Sequence, residues 1–172
     1  LYQLGCDVVV LNTNHACPDG VFVEDTAVVF DEIAVMTMPG ALSRRAEIAG
    51  IEAELVNHRK IARIELPATL DGGDVTVVGR VVLVGKSART NAEGAEALTK
   101  ILWPFGYVVR RVGMRDCLHL KSACTALPGG RLLVNPAWVE LKDLAGFDIV
   151  EILRDEPFAA DVLTIGRSVV SA

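Results

Sequence analysis

The sequence predicts an α/β fold built from repeated units, each with two paired strands followed by a helix and a further strand. Short apolar segments rich in valine and isoleucine alternate with turns of glycine or polar residues, which is typical of β-strands. The order strand, strand, helix, strand recurs along the chain. Asp25, Asp74 and Ser122 stand at equivalent points of the successive units.

The predicted elements follow one another in this order. The first unit covers residues 21–66, the second 70–113 and the third 119–153, and another begins at Asp161. Glycine or polar turns join the paired strands of each unit. Strands are predicted at 7–11, 21–30, 33–38, 61–66, 74–78, 81–84, 108–112, 120–126, 132–134, 149–153 and 161–165, and helices at 43–56, 91–102 and 137–144.

Repeats of this size indicate a propeller or a solenoid, in which each unit buries its faces against its neighbours. Paired strands with a crossover helix favour blades of mixed sheet around an axis, with the helices outside. The alternative is one α/β sheet whose spacing is accidental. In either case we expect residues 1–172 to belong to a single domain.

The composition excludes several classes of protein. The 172 residues include 17 Lys and Arg against 22 Asp and Glu, giving a formal net charge of −5, and 51% are hydrophobic. Such a chain can fill a core, so disorder is excluded, and its acidic balance makes nucleic acid and anionic membranes poor partners. No apolar stretch is long enough for a membrane helix, and no signal peptide opens the chain.

The cysteines and the chain ends carry two further expectations. Cys6, Cys17, Cys117 and Cys124 lack the paired spacing of a zinc site and are too few for a disulfide scaffold. We therefore expect a cytoplasmic domain with reduced thiols. The chain opens without methionine and stops inside an apolar run, so we expect both ends to be incomplete.

Acidic residues stand at the start of the first unit. Asp19 precedes it, and in an extended segment Phe22 and Glu24 share one face while Asp25 lies on the other. Adjacent acids within apolar strands are costly to bury without a cation or several donors. The alternative is a set of exposed turn acids, but the apolar runs on both sides favour a buried site.

The second and third units begin with related clusters. Asp71 and Asp74 flank two glycines, and His119 has in its unit the position that Asp71 has in the second. Alone, these features are also typical of a turn and of a packed histidine. If the repeats surround an axis, however, the three side chains converge with the acids of the first unit, and a carboxylate beside an imidazole fixes its tautomer.

Arg44 and Arg89 supply the opposite charge near the starts of the first two helices. Two arginines at equivalent positions can bind a carboxylate through charge-assisted hydrogen bonds, although surface arginines that flank a helix are the alternative, which we accept for Arg45. Acids at one end of a cavity and arginines at the other fit a ligand with a guanidinium and a carboxylate. Arginine has both groups.

Five motifs occur together in one order: Phe22-Val-Glu-Asp25, Pro39-Gly40…Ser43-Arg44-Arg45, Leu70-Asp-Gly-Gly-Asp74, Arg89-Thr-Asn91 and Leu118-His-Leu-Lys-Ser122. In combination they resemble the dimethylarginine dimethylaminohydrolase family of the guanidino-group-modifying enzymes. The resemblance implies a five-bladed ββαβ propeller of the pentein type. About three complete blades and parts of two others would lie in this chain.

The resemblance also implies hydrolysis of Nω-methylated arginine to citrulline and a methylamine, without a metal or another cofactor. By motif match, His119 is the expected general acid and base, and Asp71 is the carboxylate that orients it. The implied substrate-binding residues are acids around the guanidinium, a phenylalanine against the substrate stem and arginines on the α-carboxylate: Asp19, Glu24, Asp25, Phe22, Arg44 and Arg89.

Two departures qualify the match. Lys121 stands where related arginine deiminases carry an acid, which leaves room for an alkylated nitrogen. The family's nucleophilic cysteine lies near its C-terminus and matches no cysteine of this sequence. We therefore expect a nucleophile outside this chain, and a chain that is inactive alone.

Other functions stay open. They are an arginine deiminase or an amidinotransferase of the same superfamily, and a catalytically incomplete remnant that only binds. A structural relative such as the propeller-shaped ribosome anti-association factor is disfavoured, because a scaffold has no reason to bury acids. The expected partner is a small molecule, with no nucleic acid and no membrane, and a homodimer is left open.

Overall fold

The computed structural model describes residues 1–171, whose strands form four small sheets. The α-helices are α1 (Ile48–Leu55) and α2 (Ala92–Leu102). The strands are β1 (Ala27–Val29), β2 (Ile33–Met36), β3 (Lys60–Arg63), β4 (Val75–Val78), β5 (Val81–Lys86), β6 (Val108–Gly113), β7 (Cys124–Leu127), β8 (Arg131–Val134), β9 (Ile149–Glu151), β10 (Val162–Ile165) and β11 (Ser168–Ser171).

Three of the sheets have the same topology. Within each, the middle strand pairs antiparallel with the strand before it and parallel with the strand after it, giving the orders β1-β2-β3, β4-β5-β6 and β7-β8-β9. The hairpin β10-β11 forms the fourth sheet. An α/β fold is thus confirmed. The sheets are small and do not close a ring among residues 1–171, so the count of five blades stays a prediction.

The second sheet lies between two hydrophobic cores. Val82 and Val84 of β5 pack in the first core, with α2 and residues of the first sheet, whereas Leu83 packs in the second core, with residues of the third sheet. All three are fully buried. A strand buried on both faces has a continuous apolar sequence rather than an alternating one, which explains the run Val81–Val84.

Threonine hydroxyls connect successive sheets. Thr76 Oγ1 donates to the Cys124 carbonyl at 2.8 Å, and Thr125 Oγ1 donates to the Ala160 carbonyl at 2.7 Å. Both threonines are buried. Because these bonds run between neighbouring units, they hold the first strands of the units side by side.

The starts of the first strands differ from the prediction. A short 3₁₀ turn precedes β1, β4 and β7, at Val23–Thr26, Gly72–Asp74 and Leu120–Ser122. The acidic clusters therefore lie on turns rather than on strands, and alternation does not decide which way their side chains face. Further 3₁₀ turns lie at Tyr2–Leu4, Leu42–Glu47, Trp103–Phe105 and Leu141–Leu144.

Two predicted elements are wrong. Residues 7–11 form no strand and pair with no strand among residues 1–171, and Val10 is 85% exposed. Residues 137–144 contain only the 3₁₀ turn Leu141–Leu144, because Val139 makes an isolated bridge to Met114 instead of continuing a helix. The predicted helix at 43–56 divides into the turn Leu42–Glu47 and α1.

In the part of the chain that the structure describes, no helix has the length and apolarity to cross a membrane.

Candidate active site

The 3₁₀ turns bring the sequence-predicted site residues together. Phe22, Asp71 and His119 are the residues directly before the three turns, so they stand at equivalent points of successive units. A cavity of about 480 Å³ lies at these points. All of the predicted site residues except Asp71 line it: Asp19, Phe22, Glu24, Asp25, Arg44, Arg89 and His119.

Asp71 lies behind His119 and is fully buried. His119 Nε2 lies 3.1 Å from Asp71 Oδ2 and 3.8 Å from Asp25 Oδ1. The other oxygen of Asp71 accepts a hydrogen bond from the backbone N–H of Gly40 at 2.9 Å, which fixes the carboxylate. With Nε2–H donated to Asp71, Nδ1 is the ring nitrogen that remains for proton transfer.

The surrounding charges favour the protonated imidazole. Burial alone lowers the pKa of His119, but the hydrogen bond to Asp71 and the charges of Asp25, Asp74 and Asp71 outweigh it, so the pKa is raised above its ordinary value. A raised pKa suits a group that must give a proton near neutral pH and then take one back.

Two glycines permit the close packing of these groups. A Cβ on Gly72 would lie 2.0 Å from the Glu24 carbonyl oxygen, and a Cβ on Gly73 would lie 2.6 Å from Asp25 Oδ1 and 2.9 Å from His119 Nδ1. Both glycines are therefore required by the approach of backbone to neighbouring groups rather than by a turn of positive φ.

Arg44 forms a buried ion pair with two acids. Its guanidinium binds Asp25 and, at 2.8 Å, Glu47, and it also donates to the Phe22 carbonyl at 2.8 Å. Burial opposes the charged form, but the hydrogen bonds that the guanidinium donates to Glu47 and Asp25, with the charges of these acids, outweigh it and raise the pKa of Arg44. Sequence reasoning missed Glu47, which is 1% exposed; its place one helical turn after Arg44 was the available signal.

Arg89 differs from Arg44 in its surroundings. Its guanidinium forms no ion pair with the residues that the structure describes, although its side chain lines the cavity. Its backbone is held by Ser87 Oγ, which accepts the Arg89 N–H at 3.0 Å, and by Gly40, where a Cβ would lie 2.5 Å from the Arg89 carbonyl oxygen. Of the two arginines, Arg89 is the one free to bind a ligand carboxylate.

The mouth of the cavity has its own charges. Lys121 Nζ lies 2.6 Å from Glu24 Oε1, and Asp161 lines the same wall. Burial and the charge of Glu24 raise the pKa of Asp161, and Lys121 and His119 oppose this rise. Sequence reasoning missed Asp161 as a site residue, although it directly precedes β10 as Asp74 directly precedes β4. A wider cleft of about 1050 Å³ beside the cavity shares Glu24, Lys121 and Asp161.

None of the cysteines lines the cavity. Burial, with the charges of Asp74 and Asp116, raises the pKa of Cys117 to about 11, and burial raises that of Cys124 to about 12. Both thiols are therefore protonated at neutral pH, whereas a nucleophile must be a thiolate.

Asp25, Asp71 and His119 also have ligating atoms within 4.8 Å of one another. Their oxygens are already engaged: those of Asp25 by Arg44 and the Gly73 N–H, those of Asp71 by the Gly40 N–H and His119. A metal ion would have to displace these bonds, so the arrangement is better suited to proton transfer, and the expectation of no metal stays a prediction.

No protein-family model matches the chain. Two curated proteins named N(G),N(G)-dimethylarginine dimethylaminohydrolase are similar to it. The one from Streptomyces coelicolor is 44% identical over 130 residues, which cover 75% of this chain and 50% of that protein. The one from Pseudomonas aeruginosa is 36% identical over 166 residues, which cover 95% of this chain and 65% of that protein. The chain thus spans about half to two thirds of their length.

Two solved structures of dimethylarginine dimethylaminohydrolases are also similar to the chain. A dimethylarginine dimethylaminohydrolase adduct with 4-chloro-2-hydroxymethylpyridine has a TM-score of 0.88 at 34% identity, covering 98% of this chain and 68% of that one. A cysteine-to-serine variant of the Pseudomonas aeruginosa enzyme, complexed with citrulline, has a TM-score of 0.83 at 37% identity, covering 89% of this chain and 61% of that one.

Proposed function

The chain belongs to the dimethylarginine dimethylaminohydrolase family, and we propose that the protein hydrolyses Nω-methylated arginine to citrulline and a methylamine. The observation that carries the proposal is the contact of His119 Nε2 with Asp71 Oδ2 at 3.1 Å, beside a cavity lined by further acids and by Arg89. An imidazole whose pKa is raised next to a cavity for a cation suits acid and base chemistry on a guanidinium.

We assign the substrate's guanidinium to the acidic wall of the cavity. Asp19, Glu24 and Asp25 would face its nitrogens, with Phe22, which is 59% exposed, against the aliphatic stem. Arg89 would bind the α-carboxylate. Arg44 reaches the same cavity, but because its guanidinium is held by Asp25 and Glu47, we propose that it acts on the substrate chiefly by fixing Asp25.

The proposed reaction has two steps. A cysteine thiolate attacks the guanidinium carbon, and as the bond from carbon to the methylated nitrogen breaks, protonated His119 gives its proton to the departing amine. In the second step neutral His119 takes a proton from water, whose oxygen attacks the thiouronium carbon. The carbon–sulfur bond breaks, the thiolate is restored, the second proton of the water passes to the released amine, and citrulline leaves. Asp71 stabilises the imidazolium at each stage.

We propose that the nucleophilic cysteine lies outside residues 1–172. The support is that no cysteine of this chain lines the cavity and that the pKa values of two of them are raised. A five-bladed arrangement, a cytoplasmic location, the absence of metal and other cofactors, and the absence of nucleic-acid and membrane partners remain predictions, as does a homodimer.

The test is turnover by the intact protein that contains this chain. Dimethylarginine, monomethylarginine and arginine are supplied side by side, and citrulline, methylamines and ammonia are measured. We expect citrulline with a methylamine, and loss of both in the His119→Ala variant, with His58→Ala as the matched control because His58 is an exposed histidine paired with Glu54. Full activity of His119→Ala would refute the assigned role.

The same assay decides between the proposal and its alternatives. Ammonia released from unmodified arginine would identify a deiminase, and transfer of the amidino group to an added amine would identify an amidinotransferase. Calorimetry of the 172-residue chain with dimethylarginine tests substrate binding separately from turnover. We expect heat of binding and no formation of citrulline.

A further inference from the structure

Asp74 is a buried acid to which the proposed reaction gives no part. It is fully buried, and donors from two different segments bind its carboxylate. Oδ2 accepts from the hydroxyls of Ser87 and, at 2.6 Å, Thr90, and Oδ1 accepts from the backbone N–H of Leu120 at 3.1 Å.

The two hydroxyls extend the network to the site residues. Ser87 Oγ accepts the backbone N–H groups of Arg89 at 3.0 Å and of Thr90 at 3.2 Å. Thr90 Oγ1 accepts the backbone N–H of Asp71 at 3.2 Å. On the other side, Leu120 follows His119 directly in the chain. One carboxylate therefore joins the segments that carry Arg89, Asp71 and His119.

We propose that Asp74 is a positioning residue that fixes His119 and Arg89 relative to each other and that holds a buried negative charge against the segment that begins at His119. This inference rests on the proposed function, because it assigns the two ends of one substrate to those two residues. Asp74 touches neither substrate nor reacting atoms; it acts through the loops that do.

The repeat gives independent support for the positioning half of this role. Asp25 stands at the equivalent point of the first unit, and its Oδ1 accepts the backbone N–H of Gly73 in the next unit at 2.8 Å. Asp74 accepts the backbone N–H of Leu120 in the third unit, which lies one position earlier in its turn than Gly73 does in its own. Carboxylates at equivalent points thus bind one unit to the next at both junctions around the cavity.

The charges around His119 determine what loss of the Asp74 charge does. Asp25, Asp71 and Asp74 favour the imidazolium, and burial opposes it. Lys121 and Asp161 face the same cavity, and Arg44 reaches it beside Asp25. Burial raises the pKa of Asp74 itself, while Ser87, Thr90, the charge of His119 and the Leu120 N–H oppose this rise. The charge of Asp74 also contributes to the raised pKa of Cys117.

The first experiment follows the titration of His119 by NMR in chain labelled at histidine. The chain has three histidines, so His15 and His58 act as internal references, and the signal of His119 is assigned by its loss in His119→Asn. Asp74→Asn keeps the shape of the side chain and removes its charge. We expect the pKa of His119 to fall in Asp74→Asn and the references to stay unchanged.

A matched control separates positioning from general stability. Thr76→Val removes another buried bond between the same two units, from Thr76 Oγ1 to the Cys124 carbonyl, and lies outside the site. It is expected to lower the free energy of unfolding without moving the pKa of His119. If Asp74→Asn behaves as Thr76→Val does, with His119 titrating as in the unaltered chain, the proposal is overturned.

A second variant keeps the test decisive if Asp74→Asn does not fold. Ser87→Ala removes one donor and the support of the Arg89 backbone but leaves the Asp74 charge. In the intact protein we expect it to raise KM about tenfold while kcat and the pKa of His119 change little; equal KM in both proteins would overturn the positioning role. Because the NMR titration needs no turnover, failure of dimethylarginine as a substrate would refute the proposed function and leave the titration result standing.

Discussion

The buried ion pair of Arg44 allows a quantitative prediction. Arg44→Met replaces the guanidinium with an apolar chain and leaves the carboxylates of Asp25 and Glu47 without their cation; the three residues are 4%, 5% and 1% exposed. Removing one partner of a buried pair costs about 3–5 kcal/mol. For a chain of this size each kcal/mol lowers Tm by roughly 2–4 °C, so we expect a fall of roughly 6–20 °C.

Urea titration at pH 7 measures the loss, and Arg63→Met is the matched control. Arg63 pairs with Glu52, but its side chain is 53% exposed, so the same substitution there is expected to cost about 0–1 kcal/mol. Arg44→Lys keeps the charge but cannot bind both acids and a carbonyl at once, so its loss should fall between the two.

The loss is expected at neutral pH, because two buried carboxylates then lack the cation that they face in the unaltered protein. A deficit equal to that of Arg63→Met at pH 7 would refute the reasoning.

Three other substitutions test the site and its supports. Gly73→Ala would place a Cβ 2.6 Å from an oxygen of Asp25 and 2.9 Å from the His119 ring, so we expect kcat for citrulline formation to fall; a displacement near 1 Å costs about a hundredfold. Cys117→Ala is expected to retain turnover in the same assay, because its thiol pKa is about 11. Asn91→Ala is expected to lower the free energy of unfolding in urea by about 1 kcal/mol, because Asn91 Oδ1 caps α2 by accepting the backbone N–H of Gly94 at 2.8 Å.

Each of these has a control. At Gly113, which does not line the cavity, an added Cβ would lie 2.7 Å from Glu140 Cγ and 3.4 Å from Asp143 Oδ2, so the strain of Gly113→Ala falls outside the site and turnover should be retained; equal rates for the two alanine variants would contradict the close packing at Gly73. Loss of turnover in Cys117→Ala would contradict a nucleophile outside the chain. Asn91→Asp keeps the acceptor but loses the Nδ2 bond to the Pro67 carbonyl, so if it is as unstable as Asn91→Ala, that bond rather than the cap is the cause.

The repeated order of strands and helices could be predicted because chemically similar residues recur along the sequence at nearly constant spacing. Asp71 and His119 could be matched across units, and Phe22 belongs to the same set once the turns are seen. The turns themselves could not be predicted. The side chains of Asp25 and Asp74 on these turns bind backbone N–H groups of the next unit, and such contacts between residues far apart in sequence leave no local pattern.

The same reason explains what was missed. Glu47 was close enough to Arg44 to be suspected, but only the fold shows that Asp25 completes the pair. The strand predicted at residues 7–11 has suitable residues, yet a strand needs a partner, and none of the described strands supplies one.

The third unit connects β8 to β9 without an α-helix, whereas the first two units use α1 and α2 for the same connection. His119 nevertheless reaches the cavity as the first two units' residues do, because it is placed ahead of the hairpin. The connection between the second and third strands of a unit can therefore differ in length and composition without moving the residues that stand ahead of its hairpin.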